Sequence, residues 1–364
     1  MRWLDEQVIA DIAMGAAVLG TGGGGDPIIG RWMAEEAIRI HGPVCLLSPE
    51  EVKDEKRVVA SAMMGAPTVL VEKVPGTTEL SDAFEMMEEA VGESIQATLP
   101  IEIGGVNSLI PLVLAAHKKI PVIDADAMGR AFPEVQMNTF YLDGVSEAPV
   151  TMADEKGNRL LLQPRDAFSY ESLARAITVE MGCSAAILDY PQKWKRLKNS
   201  VIPGTLTLAE KLGRLLRDVY RRGADPVAAL VEALQGHLLF CGKVLDVDRR
   251  TDTGFTKGYA RFGPTNSREE DEWTLHFQNE YLLVRKGDQL LATTPDLIMV
   301  LDQENGQPIT TERLRYGMRT SVIAVPCPRK WRSEKGIATV GPRYFGYKCD
   351  YVTLEQLTAR RAEQ

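Results

Sequence analysis

Residues 20–27 of the chain read Gly-Thr-Gly-Gly-Gly-Gly-Asp-Pro, so four successive glycines precede an acid and a proline. Glycine loses more backbone freedom on folding than any other residue, but it reaches positive φ angles and lets a backbone approach a ligand closely. Neither helix formation nor packing is expected to explain four in a row. This run, the glycine loop, therefore predicts a binding segment.

The sequence on both sides of the glycine loop predicts helices. Apolar residues between Leu4 and Leu19 recur at intervals of three or four, and Asp5 is placed to cap the first helix. Asp26 is a candidate cap for the second helix, with Pro27 at its first position. The glycines thus join helix to helix, and we expect their amides to gather near the start of the second helix.

Gly20, Gly22 and Gly25 satisfy the G-x-G-x-x-G pattern of dinucleotide-binding proteins. That pattern needs a preceding strand and an acid about 20 residues further on. The helical periodicity before the loop argues against the strand, and the P-loop pattern does not occur. A tight helical connection would need only one or two glycines. We therefore favour a cradle of amides for an anion or a polar ring.

The first part of the chain alternates between strand and helix patterns. Strand-like runs are predicted at residues 44–47, 58–63, 68–72, 99–103 and 121–123, with helices at 80–95 and 107–119. This alternation predicts an α/β domain over residues 1–165 with a mostly parallel sheet, whose ligands bind beyond the carboxyl ends of the strands. From residue 139 to 163 the period drops to two, which predicts strands at 139–142, 150–152 and 160–162 along the edge of this domain.

Residues 166–364 are predicted to form a second, α+β domain. Helical patterns cover residues 166–181, 206–222 and 225–235. Beyond Gly236 the apolar runs are short, strand-like and bounded by Gly, Pro, Asp and Asn, so the domain is expected to end in a β-rich antiparallel unit.

Composition excludes several classes of partner. The chain has 42 basic and 50 acidic residues and a net charge of -8, which disfavours binding to nucleic acid or to an anionic membrane. No stretch approaches the roughly 20 apolar residues of a membrane span, and early acids interrupt any signal peptide. Five dispersed cysteines without a C-x-x-C pattern are typical of reduced thiols. We expect a cytoplasmic protein.

A second glycine pair follows a predicted strand. Glu102 lies near the strand end, Gly104 and Gly105 form a turn, and Asn107 or Ser108 is placed to cap the next helix. This arrangement brings amides and a carboxylate to the carboxyl edge of the sheet, as in a binding site. A well-capped turn explains the local pattern equally well.

Carboxylates also cluster after the next strand. Asp124 and Asp126 lie at its end, with Arg130 and Glu134 shortly beyond. Nearby charges separate the pKa values of such groups, which suits an acid and a base for proton transfer. A salt bridge from Arg130 that merely fixes the loop is the alternative. We favour a functional cluster because strand-end position and carboxylate density agree.

Seven segments together resemble the S-methyl thiohydantoin desulfurase family, formerly a family of unknown function. They are LGTGGGGDP, PIEIGGVNSLIPL, DADAMGRAFPE, FQNEYL, TPDLI, LRYGMR and VGPRYFGYKCDY, and the resemblance extends from about Val8 to Val352. It implies an α/β N-terminal part, a β-rich C-terminal part and hydrolysis at a five-membered hydantoin-like ring. The resemblance also implies that the protein is associated with hydantoinase-type and oxoprolinase-type enzymes.

In such a reaction water attacks the ring carbon that bears sulfur, a thiol leaves and a hydantoin is formed. The reaction needs a base, donors for the developing negative charge and a proton for the thiolate. We assign water activation to Asp126 and proton donation to Glu102 or Glu134. Arg130 would pair with a substrate carboxylate or orient Asp126. The residues expected to contact substrate are Thr21, Gly22, Gly23, Gly24, Gly25, Asp26, Gly105, Asn107, Asp124, Arg130, Asn279, Glu280 and Arg343.

Two of these expectations have alternatives. Glu280 and Arg343 could instead form an ion pair between domains. A zinc-bound water would replace the carboxylate base, and His237 and Cys183 are the candidate zinc ligands, although the sequence lacks H-E-x-x-H, H-x-H and C-x-x-C patterns. A histidine in apolar surroundings is more often a hydrogen-bonded core residue.

A function of another class is also considered. The protein would then be a noncatalytic or regulatory metabolite-binding partner of a hydantoinase-type or oxoprolinase-type complex. A symmetric homo-oligomer is expected from base rates alone.

Overall fold

The computed structural model describes residues 1–65, 69, 72–73, 76, 78–252, 255–264 and 272–362. The helices within them are α1 (Glu6–Leu19), α2 (Pro27–His41), α3 (Glu79–Val91), α4 (Ile110–Lys118), α5 (Thr139–Leu142), α6 (Ala167–Glu180), α7 (Trp194–Leu197), α8 (Thr205–Arg222), α9 (Pro226–Leu234), α10 (Glu334–Val340) and α11 (Leu354–Ala362). Short 3-10 helices cover Pro49–Glu51 and Arg329–Arg332.

The strands of the same residues are β1 (Arg2–Leu4), β2 (Val44–Leu47), β3 (Arg57–Gly65), β4 (Ala97–Pro100), β5 (Val122–Ile123), β6 (Ala125–Asp126), β7 (Val150–Ala153), β8 (Arg159–Leu162), β9 (Ser184–Lys193), β10 (Ile202–Pro203), β11 (His237–Asp252), β12 (Phe255–Gly263), β13 (Trp273–Gln278), β14 (Glu280–Lys286), β15 (Gln289–Thr293), β16 (Leu297–Asp302) and β17 (Arg319–Val325).

The first sheet has the order β1-β2-β5-β4-β3-β9-β7-β8 in the described part of the chain. Its centre, β2, β5, β4 and β3, is parallel, and antiparallel strands flank it on both sides. This confirms the predicted α/β domain, with a sheet that is mixed around a parallel core. Strand β9 lies between β3 and β7, although it comes from beyond residue 165.

The second sheet has the order β15-β14-β13-β12-β11-β17-β16, and every neighbouring pair is antiparallel. The β-rich end of the chain is thus confirmed. The apolar core of the first sheet continues into the second domain through Leu297, Met299 and Ile323, while Phe262 and Phe277 belong to a separate core on the second sheet. The two domains therefore share buried apolar contacts.

The glycine loop joins two capped helices as the sequence predicts. The Asp5 carboxylate accepts from the Val8 amide at 2.9 Å, and the Asp26 carboxylate accepts from the Ile28 amide at 2.9 Å. Because a helix and not a strand precedes the loop, the structural requirement of the dinucleotide pattern is not met. No helix in the described ranges is both long and apolar enough to cross a membrane.

One predicted strand is wrong. Residues 139–142 form helix α5, because the Asn138 side chain accepts from the Tyr141 amide at 3.0 Å and caps a helical turn. The two neighbouring predictions are confirmed by the edge hairpin of β7 and β8. The strand predicted at residues 68–72 falls largely outside the described residues.

Candidate active site

The glycine loop meets the second glycine pair backbone to backbone. A Cβ atom on Gly24 would lie 2.4 Å from Gly104 Cα, and one on Gly105 would lie 2.1 Å from the Gly25 carbonyl oxygen. The Val106 amide donates to the Gly24 carbonyl at 2.6 Å. The two predicted binding segments are therefore one unit at the carboxyl edge of the sheet.

The loop also packs tightly against the second domain. A Cβ atom on Gly22 would lie 2.5 Å from the Tyr281 ring, and one on Gly23 would lie 2.0 Å from Glu280 Oε1. Together with the contact of Gly24, close packing accounts for three of the four glycines. The expectation that packing does not explain the run was wrong.

A cavity of about 110 Å³ opens beside these contacts, where the carboxyl ends of β3 and β4 meet. Several of the predicted site residues line it, namely Gly24, Gly25, Glu102, Asn107, Glu134, Asn279 and Glu280. Its apolar walls are formed by Ala62, Met63, Met64, Gly65, Ile101, Met128, Phe132, Pro133, Val135 and Ile187. A small ring enclosed by apolar walls and a few polar groups is what such a cavity accommodates.

Two amide donors of the glycine loop point to a role in binding. Gly24 and Gly25 have φ angles of 77° and 84°, which L side chains rarely adopt. Their N–H groups have no acceptor among the residues that the structure describes. Since both residues line the cavity just before helix α2, these donors and the helix N-terminus favour negative charge on a ligand.

Glu102 is a buried carboxyl group that lines the cavity. It is 5% exposed, its Oε1 accepts from Asn107 Nδ2 at 2.7 Å, and its Oε2 accepts from the Phe132 amide at 3.4 Å. Burial raises the pKa of Glu102 to about 7, although the hydrogen bond from Asn107 lowers it. A carboxyl group with a pKa near neutrality suits general acid–base work.

Asn107 positions this carboxylate. Its Oδ1 accepts from the Met63 amide at 2.9 Å, which fixes the orientation of the side-chain amide. The prediction that Asn107 or Ser108 caps the next helix was wrong, because that helix begins at Ile110 and its cap position is Leu109.

Asn279 and Glu280 line the cavity from the second domain, and Glu280 packs against Gly23 of the glycine loop. Glu280 is 3% exposed, and its Oε2 has no hydrogen-bond partner within the described ranges. Burial, with a further contribution from the charge of Glu102, raises the pKa of Glu280 well above its ordinary value. Asn279 Oδ1 accepts from the Thr256 amide at 2.8 Å, and its Nδ2 has no acceptor among the residues that the structure describes.

Glu134 lines the same cavity and is held from the second domain. Its Oε2 accepts from the Tyr344 hydroxyl at 2.6 Å and from Gln136 Nε2 at 2.5 Å. Both domains therefore contribute to the cavity through side chains as well as backbone.

Arg130 is buried completely and its five N–H groups are all used. Its acceptors are Oγ1 of Thr21 and the carbonyl oxygens of Ala131, Tyr281, Pro295 and Asp296. No donor is left for a substrate carboxylate or for Asp126. The guanidinium instead joins the glycine loop to the second domain, and burial lowers the pKa of Arg130 to about 10.

Asp126 lies outside the cavity. It has no exposed surface, and its Oδ2 accepts from the amides of Met128 and Gly129 at 3.0 and 2.7 Å. Its Oδ1 has no partner in the part of the chain described. Burial raises the pKa of Asp126 to about 7. The structure thus shows a turn-forming carboxyl group, and the cavity is reached by Glu102 instead.

Seven further predicted residues do not line the cavity, namely Thr21, Gly22, Gly23, Asp26, Gly105, Asp124 and Arg343. Asp124 accepts from the Thr207 amide at 3.0 Å in the first turn of α8. Asp26 caps α2 and pairs with Arg313. Thr21 holds Arg130, and Arg343 pairs with Asp350 at the surface rather than with Glu280.

Two family models match consecutive parts of the chain. The S-Me-THD-like N-terminal domain matches residues 7–164, and the S-Me-THD-like C-terminal domain matches residues 165–354. The chain belongs to the S-methyl thiohydantoin desulfurase family. A crystal structure of a protein from Chromobacterium violaceum, a structural genomics target, superposes with a TM-score of 0.79. It is 23% identical and the match covers 97% of this chain and 100% of that one, which supports the fold. The curated proteins contain no match.

The zinc candidates of this family member lie in or beside different sheets. His237 lies in strand β11 of the second sheet, whereas Cys183 precedes β9 in the first sheet and contacts Gly65. Within the residues described, no three His, Cys, Asp or Glu side chains are grouped so as to hold a metal ion.

Sequence reasoning missed three polar residues of the cavity in this family member, Tyr170, Arg175 and Asp189. Asp189 is a charged residue in the otherwise apolar run SAAILDY, a signal that could have indicated it. Arg175 stacks on the Phe255 ring at 4.1 Å and donates to the Pro133 carbonyl at 3.0 Å. Its position depends on contacts between domains, and no local pattern announces it.

Proposed function

We propose that the protein hydrolyses a five-membered hydantoin-like ring and replaces sulfur by oxygen at a thiohydantoin carbon. One observation carries this proposal. Glu102 lines the same small cavity as Gly24 and Gly25, whose amides have no acceptor among the described residues. The family to which the chain belongs is named for this type of substrate.

Glu102 acts as the base. Its carboxylate takes a proton from water while the water oxygen attacks the ring carbon that bears the S-methyl group. With a pKa of about 7, a useful fraction is ionised at neutral pH and is still basic enough to accept the proton. This assignment replaces Asp126 by Glu102, because Glu102 lines the cavity and Asp126 does not.

Attack on the C=N carbon moves an electron pair to the ring nitrogen. The amides of Gly24 and Gly25 and the start of α2 stabilise the negative charge that develops on the ring, and Asn279 Nδ2 offers a further donor. These donors belong to a backbone held by glycine contacts, so they need no reorganisation during the reaction.

Collapse of the tetrahedral intermediate forms the carbonyl group and breaks the C–S bond. Glu280 gives a proton to the departing thiolate and regains one from the hydroxyl group of the intermediate, and the proton that Glu102 took from water passes to the ring nitrogen. Glu134 is the second candidate donor. The sum is S-methyl thiohydantoin plus water giving hydantoin plus methanethiol, with all atoms and protons accounted for.

The test measures methanethiol released from S-methyl thiohydantoin by the wild type, Glu102→Gln and Asp126→Asn. We expect the first variant to lose about 10²- to 10⁴-fold in turnover and the second to retain it. Loss in Asp126→Asn alone would restore Asp126 as the base. Each assay is run with and without Zn²⁺, which also tests metal-activated water.

Binding without turnover is the alternative outcome. If the wild type binds hydantoin but releases no thiol from S-methyl thiohydantoin, the protein is a noncatalytic metabolite-binding partner of a hydantoinase-type complex. Calorimetric titration with hydantoin, performed on the same preparation, distinguishes the two functions.

A further inference from the structure

We propose that Asp189, oriented by Tyr170, is a specificity-determining residue that accepts a hydrogen bond from a ring N–H of the substrate. The cavity would then select rings whose nitrogen on this side is unsubstituted. This inference rests on the proposed function, since it concerns the ligand of the same cavity.

The sheet places Asp189 on the cavity side. In strand β9, Asp189 is opposite Ala60 of β3 and Ile187 is opposite Ala62. Residues two apart on a strand share a face, and both Ile187 and Asp189 line the cavity. The small side chains on β3 leave room beside them.

Tyr170 fixes the direction of the carboxyl group. Its hydroxyl donates to Asp189 Oδ2 at 2.9 Å, and the exposed fractions of the two residues are 1% and 6%. Asp189 Oδ1 has no donor among the described residues, so it is the acceptor that this wall offers to the cavity. A carboxylate oxygen without a protein donor can accept a hydrogen bond from a ligand N–H.

The acidic group on this wall is separate from the catalytic one. Burial raises the pKa of Asp189 to about 7, the hydrogen bond from Tyr170 lowers it, and the charge of Glu147 raises it. Glu102 and Glu280 are not among the groups that shift it. One part of the cavity therefore has the Gly24 and Gly25 amides and Glu102, and the wall formed by β9 has Asp189 as a second acceptor.

This distribution matches a cyclic ureide. A hydantoin-like ring carries carbonyl oxygens, which the amides of Gly24 and Gly25 can bind, and N–H groups, which a carboxylate can bind. With both contacts made, only one orientation of the flat ring is favoured between the apolar walls. Asp189 would therefore decide which ring face and which ring nitrogen meet Glu102.

A purely structural role for Asp189 is the competing explanation, since the bond from Tyr170 also ties α6 to β9. Methyl groups on the ligand separate the two roles. Hydantoin, 1-methylhydantoin and 3-methylhydantoin differ only in which ring N–H is present. A structural tie would weaken all three ligands alike when it is removed.

The experiment is calorimetric titration at pH 8.5, above the pKa of about 7 for Asp189. We expect the wild type to bind hydantoin about 10- to 100-fold more tightly than one of its two N-methyl isomers, as expected for one lost hydrogen bond. Asp189→Asn should bind hydantoin and that isomer within about threefold of each other, because its amide oxygen would accept from Tyr170 and its Nδ2, a donor, would replace the acceptor that faces the ligand. Tyr170→Phe keeps the carboxylate and should retain part of the preference. Asp126→Asn, a buried carboxyl group outside the cavity, is the matched control and should retain all of it.

Two results would overturn the inference. One is a wild type that binds both methyl isomers as tightly as hydantoin, which needs no variant to fold. The other is Asp189→Asn with the full preference of the wild type. If thiol release is observed but N-methyl discrimination is not, the inference fails and the proposed function stands. If N-methyl discrimination is observed but thiol release is not, the proposed function fails and the inference stands.

Discussion

Glu280 occupies the space that a side chain on Gly23 would need, because a Cβ atom at residue 23 would lie 2.0 Å from Glu280 Oε1. We expect Gly23→Ala to displace the Glu280 carboxyl group and to lower the free energy of unfolding by about 1–3 kcal/mol through overpacking. Urea denaturation measures this. The double variant Gly23→Ala with Glu280→Ala should recover part of the loss, and a single variant as stable as the wild type would contradict the contact.

The pH dependence of turnover should follow Glu102. Because the base must be ionised, kcat/KM is expected to rise with pH through about 7, the pKa to which burial raises this group. Asn107→Ala removes the hydrogen bond that lowers the pKa, so the rise should move to higher pH. Asp126→Asn is the control. An unchanged profile in Asn107→Ala would argue against Glu102 as the base.

Asp126 should make stability depend on pH with a predictable sign. Burial raises its pKa from 3.8 to about 7 in the folded protein, so the folded state binds the proton more tightly than the unfolded state. Its contribution to the free energy of unfolding is therefore complete below about pH 4 and is lost as pH rises through about 7. Asp126→Asn should be about 1–3 kcal/mol more stable relative to the wild type at pH 8 than at pH 4.

Urea unfolding at both pH values tests this expectation. The comparison uses the difference between the two proteins, because other carboxyl groups titrate equally in both. If the difference in the free energy of unfolding does not change with pH, the pKa of Asp126 is the same in the folded and the unfolded protein.

Arg130 should matter far more for stability than a surface arginine. Arg130→Met leaves five buried acceptors without their donor, and we expect a loss of at least about 3 kcal/mol. Arg343→Met, which breaks an exposed pair with Asp350, should cost less than about 1 kcal/mol. Thermal unfolding of the two variants compares them. Similar melting temperatures would show that the buried network contributes little.

Local features of the fold were predictable from the sequence. The caps Asp5 and Asp26 and the periodicity beside them specify helix, loop and helix within about 40 residues. The cap Asn138 is equally local, but the alternation of apolar residues after it masked its effect. The position of β9 beside β3 depends on pairing between distant residues, which no short pattern contains.

The segments that form the candidate site could be predicted from the sequence, but not which carboxyl group lines the cavity. Glu102 and Asp126 both follow a strand of the parallel core, and nothing local distinguishes them. The pairing of Asp126 with Ile202 on β10 and its capped turn direct that carboxyl group away from the cavity. Likewise, Asp189 becomes part of the site only because β9 joins the first sheet.

The hydrogen bonds of the Arg130 guanidinium bear on how the two halves of the protein can evolve. Two of its acceptors lie in the half matched by the first family model and three in the half matched by the second. If the N-terminal half were separated from the C-terminal half, the buried guanidinium would keep N–H donors without acceptors. The same would happen if the N-terminal half were recombined with a C-terminal half whose carbonyl groups lie elsewhere. Selection should therefore transmit both halves together, as one gene or as an obligate pair.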